Sequence, residues 1–318
     1  MVITNMSSVP MTLAVWAVND SYDYVDDPKY ISVTTLLKPV RQIILSRRVD
    51  MDTVAQDVED FLSRAMGTSI HDSIEKAWTK NYKRNLALLG YEEKVIDRFK
   101  INPEKVNEGD IPVYLEQRAV KEFEGWKIGG KFDFIADGLL HDNKSTTAFK
   151  WQTGSSDLDY KLQGSLYRWL NPEKITENYI RINFVFTDWS KLQAIKDETY
   201  PQHRAMYKDI PLLSIAETEN WLHHKLALIN KYLNEPEENI PDCTDEELWR
   251  PPTKYKYYTN PSATRATKNF DSWAEAHQFQ MIQKKGLGVI KVIPGEARRC
   301  NYCSASGICS QYKRMHEF

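Results

Sequence analysis

The stretch GGKFDFIADGLLHDNK, residues 129–144, decides the reading of this chain. Asp137-Gly138 in its middle is among the dipeptides most favoured for a two-residue hairpin turn, whose central positions need a positive φ. With those residues as the turn, positions equidistant from it pair, so Asp133 lies directly opposite Asp142 and Lys131 opposite Lys144. Like charges across a strand pair, with β-carbons about 5 Å apart, are destabilising unless something positive sits between them. A divalent cation would relieve the repulsion. Lys144 shares the face of Asp142, because strand side chains repeat every two residues. Two carboxylates and an ammonium on one patch supply hard oxygen ligands for Mg²⁺ or Mn²⁺ and a cation to orient water or neutralise developing charge. The plain alternative is a solvated hairpin of mixed charge. The D-x-K letters alone decide little, since Asp27-Pro28-Lys29 and Glu92-Glu93-Lys94 have the same form but follow no strand bearing a second acid.

Working outward, residues 113–136 read as strand, interrupted at Gly125 and at Gly129-Gly130. Upstream, GTSIHDSIEKAW from Gly67 reads as a helix, with Ser69 and Asp72 as its opening box and Gly90 as its stop. Helical spacing puts His71, Glu75 and Trp78 on a stripe beside Ile70, Ile74 and Ala77. A histidine near a helix N-terminus is disfavoured from protonating, which leaves a neutral imidazole free to coordinate. Residues 31–48 and 54–66 read as a helical cap, after an arm that carries an acidic, tyrosine-rich patch over 20–27. Downstream, a helix opens at Ser155 or Ser156 and runs to Leu170, residues 179–187 alternate as a strand, and 214–234 form an amphipathic helix. The order implies an α/β fold: a small mixed sheet flanked by helices. Beyond Cys243, two short strands, a helix capped by Ser272 and Glu275, and a strand over 288–293 make a ββαβ insert. The expected divisions are 1–66, 67–240 and 241–318.

These blocks resemble the PD-(D/E)XK nuclease superfamily, in its RecB-like exonuclease branch. Four match in order: G-T-x-x-H-x-x-x-E from Gly67 to Glu75, G-x-x-D from Gly130 to Asp133, D-x-K from Asp142 to Lys144, and Q-x3-Y from Gln163 to Tyr167. The resemblance covers about residues 30–190 and implies a restriction-endonuclease-like core and a Mg²⁺- or Mn²⁺-dependent deoxyribonuclease of exonuclease type, acting in recombination, repair or processing. It implies that His71, Asp133 and Asp142 bind metal, with the Asn143 carbonyl as a further ligand. It also implies that Lys144 assists the nucleophile, and that Gln163 and Tyr167 face the DNA and the site. Glu75 reads as a surface residue paired with a lysine. Glu116 reads as a strand residue near the metal, outside the catalytic set. The alternative in another class is a non-catalytic nucleic-acid or partner-binding protein on the same scaffold, with a structural zinc.

Cys300, Cys303 and Cys309 are spaced C-x2-C-x5-C, and Cys243 stands apart. Four thiolates suit an all-cysteine site for zinc or an iron-sulfur cluster. In the resembled branch a carboxy-terminal triplet and a distant cysteine hold a [4Fe-4S] cluster, but there the lone cysteine precedes the core. Residues 36–46 contain none, so Cys243 is the substitute. Around these ligands Lys254, Lys256, Arg298, Arg299, Lys313 and Arg314 interleave with Tyr255, Tyr257, Tyr258, Tyr302 and Tyr312, a pattern suited to single-stranded nucleic acid or, equally, to a solvated face over a tyrosine-lined core.

Of 318 residues, 42 are Lys or Arg and 44 are Asp or Glu, a net charge of -2 that excludes a uniformly basic nucleic-acid coat. Hydrophobic residues at 42% argue against wholesale disorder. The longest apolar runs, 11–18 and 210–215, are too short to span a bilayer, and no secretory leader is evident, so a cytoplasmic location is expected. A G-x4-G-K-[ST] loop is absent from the sequence, so no nucleotide cofactor is expected. The expected partner is DNA, and a helicase or single-strand annealing protein would be separate.

Overall fold

The computed structural model describes residues 2–20 and 24–316. Residues 21–23 of the expected acidic, tyrosine-rich patch lie outside them. In chain order the elements begin with β1 (Val2–Thr4), α1 (Met11–Ala17), β2 (Tyr30–Ser32), α2 (Val33–Leu36), α3 (Val40–Ser46), β3 (Ala55–Asp57), α4 (Glu59–Leu88), α5 (Glu93–Ile96) and β4 (Phe99–Ile101). Then come β5 (Ile111–Phe123), β6 (Trp126–Ala136), β7 (Leu139–Thr146), α6 (Ala148–Thr153), α7 (Asp157–Leu170), β8 (Tyr179–Phe186), α8 (Lys191–Lys196), β9 (Ala205–Pro211) and α9 (Ile215–Tyr232). The last are β10 (Lys254–Tyr258), β11 (Lys268–Phe270), α10 (Trp273–Gln278), β12 (Val289–Ile293) and α11 (Ser310–His316). The class is mixed α/β. Two units divide the chain, one of residues 1–37 and 50–228, the other of 38–49 and 229–318. The expected boundary at 66/67 is corrected, because it falls inside α4, and the second unit takes in residues 38–49 as well as the chain from 229.

In the first unit a seven-stranded sheet runs β4-β5-β6-β7-β8-β9, with β2 parallel to β6. Strands β5, β6 and β7 are antiparallel, β8 is parallel to β7, and β9 is antiparallel to β8. The parallel step needs a crossover, which α6 and α7 supply. At the hairpin, φ is 48° at Asp137 and 81° at Gly138, the left-handed geometry whose twist matches the flanking strands. Phe134 pairs with His141, Ile135 with Leu140 and Ala136 with Leu139, the register read from the sequence. Asp133 and Asp142 stand one step past the last of these pairs. The expected interruption at Gly129-Gly130 is corrected: β6 runs through both. Trp78 of α4 packs with Val113, Leu115 and Phe134, which fixes that helix on the sheet.

Helix α4 starts at Glu59, eight residues before the expected Gly67. Asp57 caps it by accepting the Glu59 amide at 3.1 Å, while the Asp60 carboxylate accepts the Asp57 amide at 3.3 Å. This box, and not Ser69 with Asp72, satisfies the orphan amides of the first turn. The helices expected over 31–48 and 54–66 are also corrected. Residues 30–32 and 55–57 form strands, Ser32 caps the short α2 by accepting from the Thr35 amide, and Pro39, lacking an amide hydrogen, precedes α3. The N-terminal arm is ordered as well: β1 pairs in parallel with β3, and α1 buries Ala14, Ala17 and Val18 against Val58, Phe61 and Leu62.

In the second unit β11-β10-β12 form a three-stranded sheet, and α10, capped by Ser272 accepting from the Glu275 amide, completes the expected ββαβ order. Ile44 and Leu45 of α3 form a core with Ile240 and Ala305, against which Cys303 and Cys309 pack.

Candidate metal centre and cysteine site

His71 lies well inside α4, so the expected effect of a helix N-terminus on its charge is corrected. Its Nδ1 is 3.1 Å from Asp133 Oδ2. That contact raises the His71 pKa against the opposing effect of burial. Without a metal the imidazole is therefore held toward its protonated form, and a cation would have to displace that proton.

Glu116 joins them. Ligand atoms of His71, Glu116 and Asp133 all lie within 4.8 Å of one another, the one such set among the described residues. Glu116 falls opposite Asp133 in the β5–β6 register, between the Leu115–Phe134 and Gln117–Phe132 pairs, yet its φ is 53°. A left-handed glutamate within a strand is strained, and such strain persists where its surroundings over-determine it, commonly at functional sites. Burial raises the Glu116 pKa, Lys131 at 2.5 Å opposes this, and the charges of Asp133 and Glu75 add to it. The expected surface pairing of Glu75 with a lysine is thus replaced by a place near this group. Sequence reasoning set Glu116 aside because spacing does not reveal a backbone twist. Its position opposite Asp133 on the neighbouring strand was the available signal.

Asp142 is buried, and neither of its carboxylate oxygens has a hydrogen-bond partner. Lys144 Nζ lies 2.7 Å from Asp142 Oδ2, an ionic contact that pairs the two charges. Burial pushes the Asp142 pKa up, and the charge of Asp133 adds to this although Lys144 opposes it. Asp133 moves the other way: burial would raise it, but His71 and Lys144 hold it below its ordinary value. One shared environment thus pushes the two neighbouring carboxylates in opposite directions. His71, Glu116 and Asp133 form a donor set that fits Mg²⁺ or, with the nitrogen, Mn²⁺, and Asp142, paired with Lys144, neighbours Asp133 but falls outside that set.

Burial works against charge on Lys144, yet Asp142 and Asp133 hold its pKa above the ordinary value. The ammonium also lies 5.8 Å over the ring of Tyr160, a neighbour in α7 that the sequence did not single out. Asn143 projects on the opposite face of β7 from Asp142 and Lys144, and its side-chain oxygen accepts from Asn183 at 3.0 Å. Only its main-chain carbonyl is left for the implied role. Tyr167 is buried, and Gln163 donates to its hydroxyl at 3.4 Å. The expectation that Tyr167 faces DNA is corrected: its ring packs over Gly130.

In the second unit all four cysteines line one cavity of about 30 Å³, and all are free thiols. Buried Gln311 brings Cys243 to the triplet by donating to the Cys243 carbonyl at 2.8 Å and accepting from its amide at 2.9 Å. Burial pushes the Cys243 thiol up to about 12 and raises Cys300 and Cys303. Arg41 of α3, 4% exposed, donates to Cys309 Sγ at 3.4 Å. Four thiols beside a buried cation fit a thiolate-bound metal group. No three of the sulfurs all lie within 4.8 Å of one another among the described residues.

The expected basic and aromatic surface is only partly present. Tyr257 and Tyr258 are buried, the Tyr257 hydroxyl donates to the Leu287 carbonyl, and Lys254 and Arg314 pair with Asp271 and Asp242. Tyr302 remains 81% exposed. Among the described residues, no helix is long and apolar enough to cross a membrane.

No protein-family model matches the chain, and no curated protein matches it. The chain is similar to the crystal structure of SSO0001, with 15% identity and a TM-score of 0.41 over 71% of this chain and 87% of that one.

Proposed function

We propose that the chain is a metal-dependent DNA nuclease of exonuclease type, with a PD-(D/E)XK core in the first unit and a cysteine-ligated [4Fe-4S] module in the second. The observation that carries the reading is the half-buried group of His71, Glu116 and Asp133, whose ligand atoms lie within 4.8 Å of one another, beside the buried Asp142 and its partner Lys144. Mg²⁺ or Mn²⁺ would supply polarisation of the phosphate and a lowered pKa for the attacking water. Asp133, Asp142, His71 and Glu116 would hold it, with the Asn143 carbonyl as a further ligand. Asp142 and Asp133 favour the charged form of Lys144 in the metal-free site, and there the lysine would assist the nucleophile by orienting water and neutralising developing charge. Gln163 and Tyr167 act one step back by positioning β6. The cysteine module stabilises its own unit and takes no part in hydrolysis. DNA is the substrate, and unwinding or annealing would come from a separate protein.

The test is a time course with Mn²⁺ on end-labelled linear and closed circular DNA. Linear DNA should be degraded and circular DNA spared, and Asp142→Ala should abolish the loss. Near-normal turnover in Asp142→Ala would sink the metal assignment, and cutting of closed circles would replace exonuclease by endonuclease action.

A further inference from the structure

The cleft that contains the His71, Glu116 and Asp133 set has a second wall, built from the N-terminal arm. It encloses about 530 Å³, within the size range of sites that take a small ligand. Helix α1 buries Ala14, Ala17 and Val18 against α4, which leaves Trp16 on the adjoining side, lining the cleft. The indole N–H donates to Ser69 Oγ at 3.3 Å. Ser69 and His71 both line this cleft, so packing and a hydrogen bond together hold the indole in the cleft that contains the metal-ligand group. Arg64, one side of whose guanidinium lies 3.5 Å from Asp20, lines the same cleft with half of its side chain exposed.

We propose, resting on the nuclease reading above, that Trp16 is the stacking platform for a base next to the scissile phosphate, that Arg64 takes a flanking phosphate, and that the substrate is an unpaired DNA strand. Every base has a π-face, so stacking on an indole is tolerant of sequence. In a duplex those faces are already covered by neighbouring bases, and only a frayed or single strand can offer one. The cleft sets Asp20, Asp72, Glu116 and Asp133 against Arg64, Lys131 and the imidazole of His71, which leaves the acids in excess. Phosphates therefore enter only once a divalent cation has neutralised the carboxylates.

Binding in Ca²⁺ in place of Mn²⁺ separates recognition from cleavage. The probes are a labelled single strand long enough to form a stable duplex, the same strand with abasic sites, and its blunt-ended duplex. Wild type should prefer the base-bearing single strand to both others by about tenfold, in the range of a base–aromatic stack, and should lose it on chelation. Trp16→Phe should keep that preference, Trp16→Leu should lose about tenfold on the base-bearing strand alone, and Arg64→Gln should lower the slope of log affinity against log salt by about 0.7. Trp16→Leu that binds like wild type, while Mn²⁺ still supports cleavage, overturns the subsite and leaves the nuclease reading standing. Trp16-dependent binding with no Mn²⁺-dependent cleavage keeps the subsite and overturns the nuclease. Equal affinity of wild type for the duplex overturns the substrate class, and no binding of any probe overturns the subsite.

Discussion

The ring of Tyr167 occupies the space that a side chain on Gly130 would need: a β-carbon there would lie 2.6 Å from Tyr167 Cε1 and 2.9 Å from Val33 Cγ2. Gly130 stands three residues before Asp133 on β6, and Tyr167 stands one helical turn after Gln163 on α7. The G-x-x-D and Q-x3-Y blocks therefore meet in one contact. The glycine admits the ring, and the ring fixes the strand just ahead of the acid.

Gly130→Ala should cost about 1–3 kcal/mol, because the overpacked ring or strand must shift. For a unit of this size that lowers Tm by roughly 3–10 °C, and it should reduce Mn²⁺-dependent activity through displaced Asp133. Tyr167→Phe, which removes the hydroxyl that accepts from Gln163 at 3.4 Å but keeps the ring over Gly130, should cost about 1 kcal/mol. Adding Tyr167→Leu to Gly130→Ala should recover part of the loss, a coupling read by thermal melts of all four proteins. Additive effects would show that the contact does not constrain β6.

Asp142→Asn should remove metal dependence without unfolding the chain. The wild-type Tm should rise with Mn²⁺, since a ligand that binds only the folded state stabilises it. The variant should show little of that rise and lose about a hundredfold or more in turnover. In chelator the two proteins should melt close together, because relief of the Asp133–Asp142 repulsion is offset by a Lys144 left without its carboxylate. A full Mn²⁺ shift in Asp142→Asn would remove Asp142 from the ligand set.

How much of this was legible in the sequence depended on how local the cause was. Asp137-Gly138 fixed a turn, and the turn fixed the register that brings Asp133 beside Asp142, since the pairing follows from chain geometry alone. Ser272 with Glu275 and the strands around them were readable for the same reason. The start of α4 was not, because Ser69 with Asp72 and Asp57 with Asp60 offer equally good caps and only the tertiary tie of Asp57 to the N-terminal strand selects between them. Tyr167 carried the right letter but an unforeseen role: its contact with Gly130 joins elements far apart in sequence. Glu116 was legible as a strand residue near the metal, and its place opposite Asp133 across β5 and β6 is what adds it to the ligand group.

Asp57 predicts a pH dependence for the N-terminal arm. Hydrogen bonds, that of Ser7 first, hold its carboxyl down to about 2 from an ordinary value of 3.8, and the amides of Met6 and Glu59 are among its donors. A depressed carboxyl contributes stability that is fully present above its unfolded pKa and is lost as pH falls through the folded one. Amide exchange of residues 2–8 should therefore stay slow down to about pH 4 and, after correction for intrinsic rates, speed up as pH approaches about 2. Asp57→Asn should exchange faster at neutral pH and converge with wild type in acid. A constant difference between the two proteins from pH 7 to pH 2 would mean that another group anchors the arm.

Arg41 should decide whether the cysteine unit can form its metal site. Its guanidinium donates to the Ile240 carbonyl at 2.7 Å, to Ser310 Oγ at 3.0 Å and to Cys309 Sγ at 3.4 Å, and it pairs with Glu237, whose carboxylate also accepts the Ser310 amide. One buried cation thus joins α3, the segment before Cys243 and the start of α11 around the sulfurs. Arg41→Met keeps the apolar stem but strands Glu237, a quarter of whose side chain is exposed, so the cost should be about 2–3 kcal/mol, below that of breaking a fully buried pair. It also removes the positive charge that offsets four thiolates, so metal content should fall together with stability. Anaerobic purification with iron, sulfide and zinc analysis, alongside limited proteolysis, reads both effects. Cys303→Ser should lose the metal outright and become protease-sensitive beyond about residue 240, because one missing ligand frees a site whose other three lie on two separate segments. Arg41→Met with a full metal complement and an unchanged melt would reduce the arginine to packing, and Cys243→Ser with a full complement would leave the site with three cysteines.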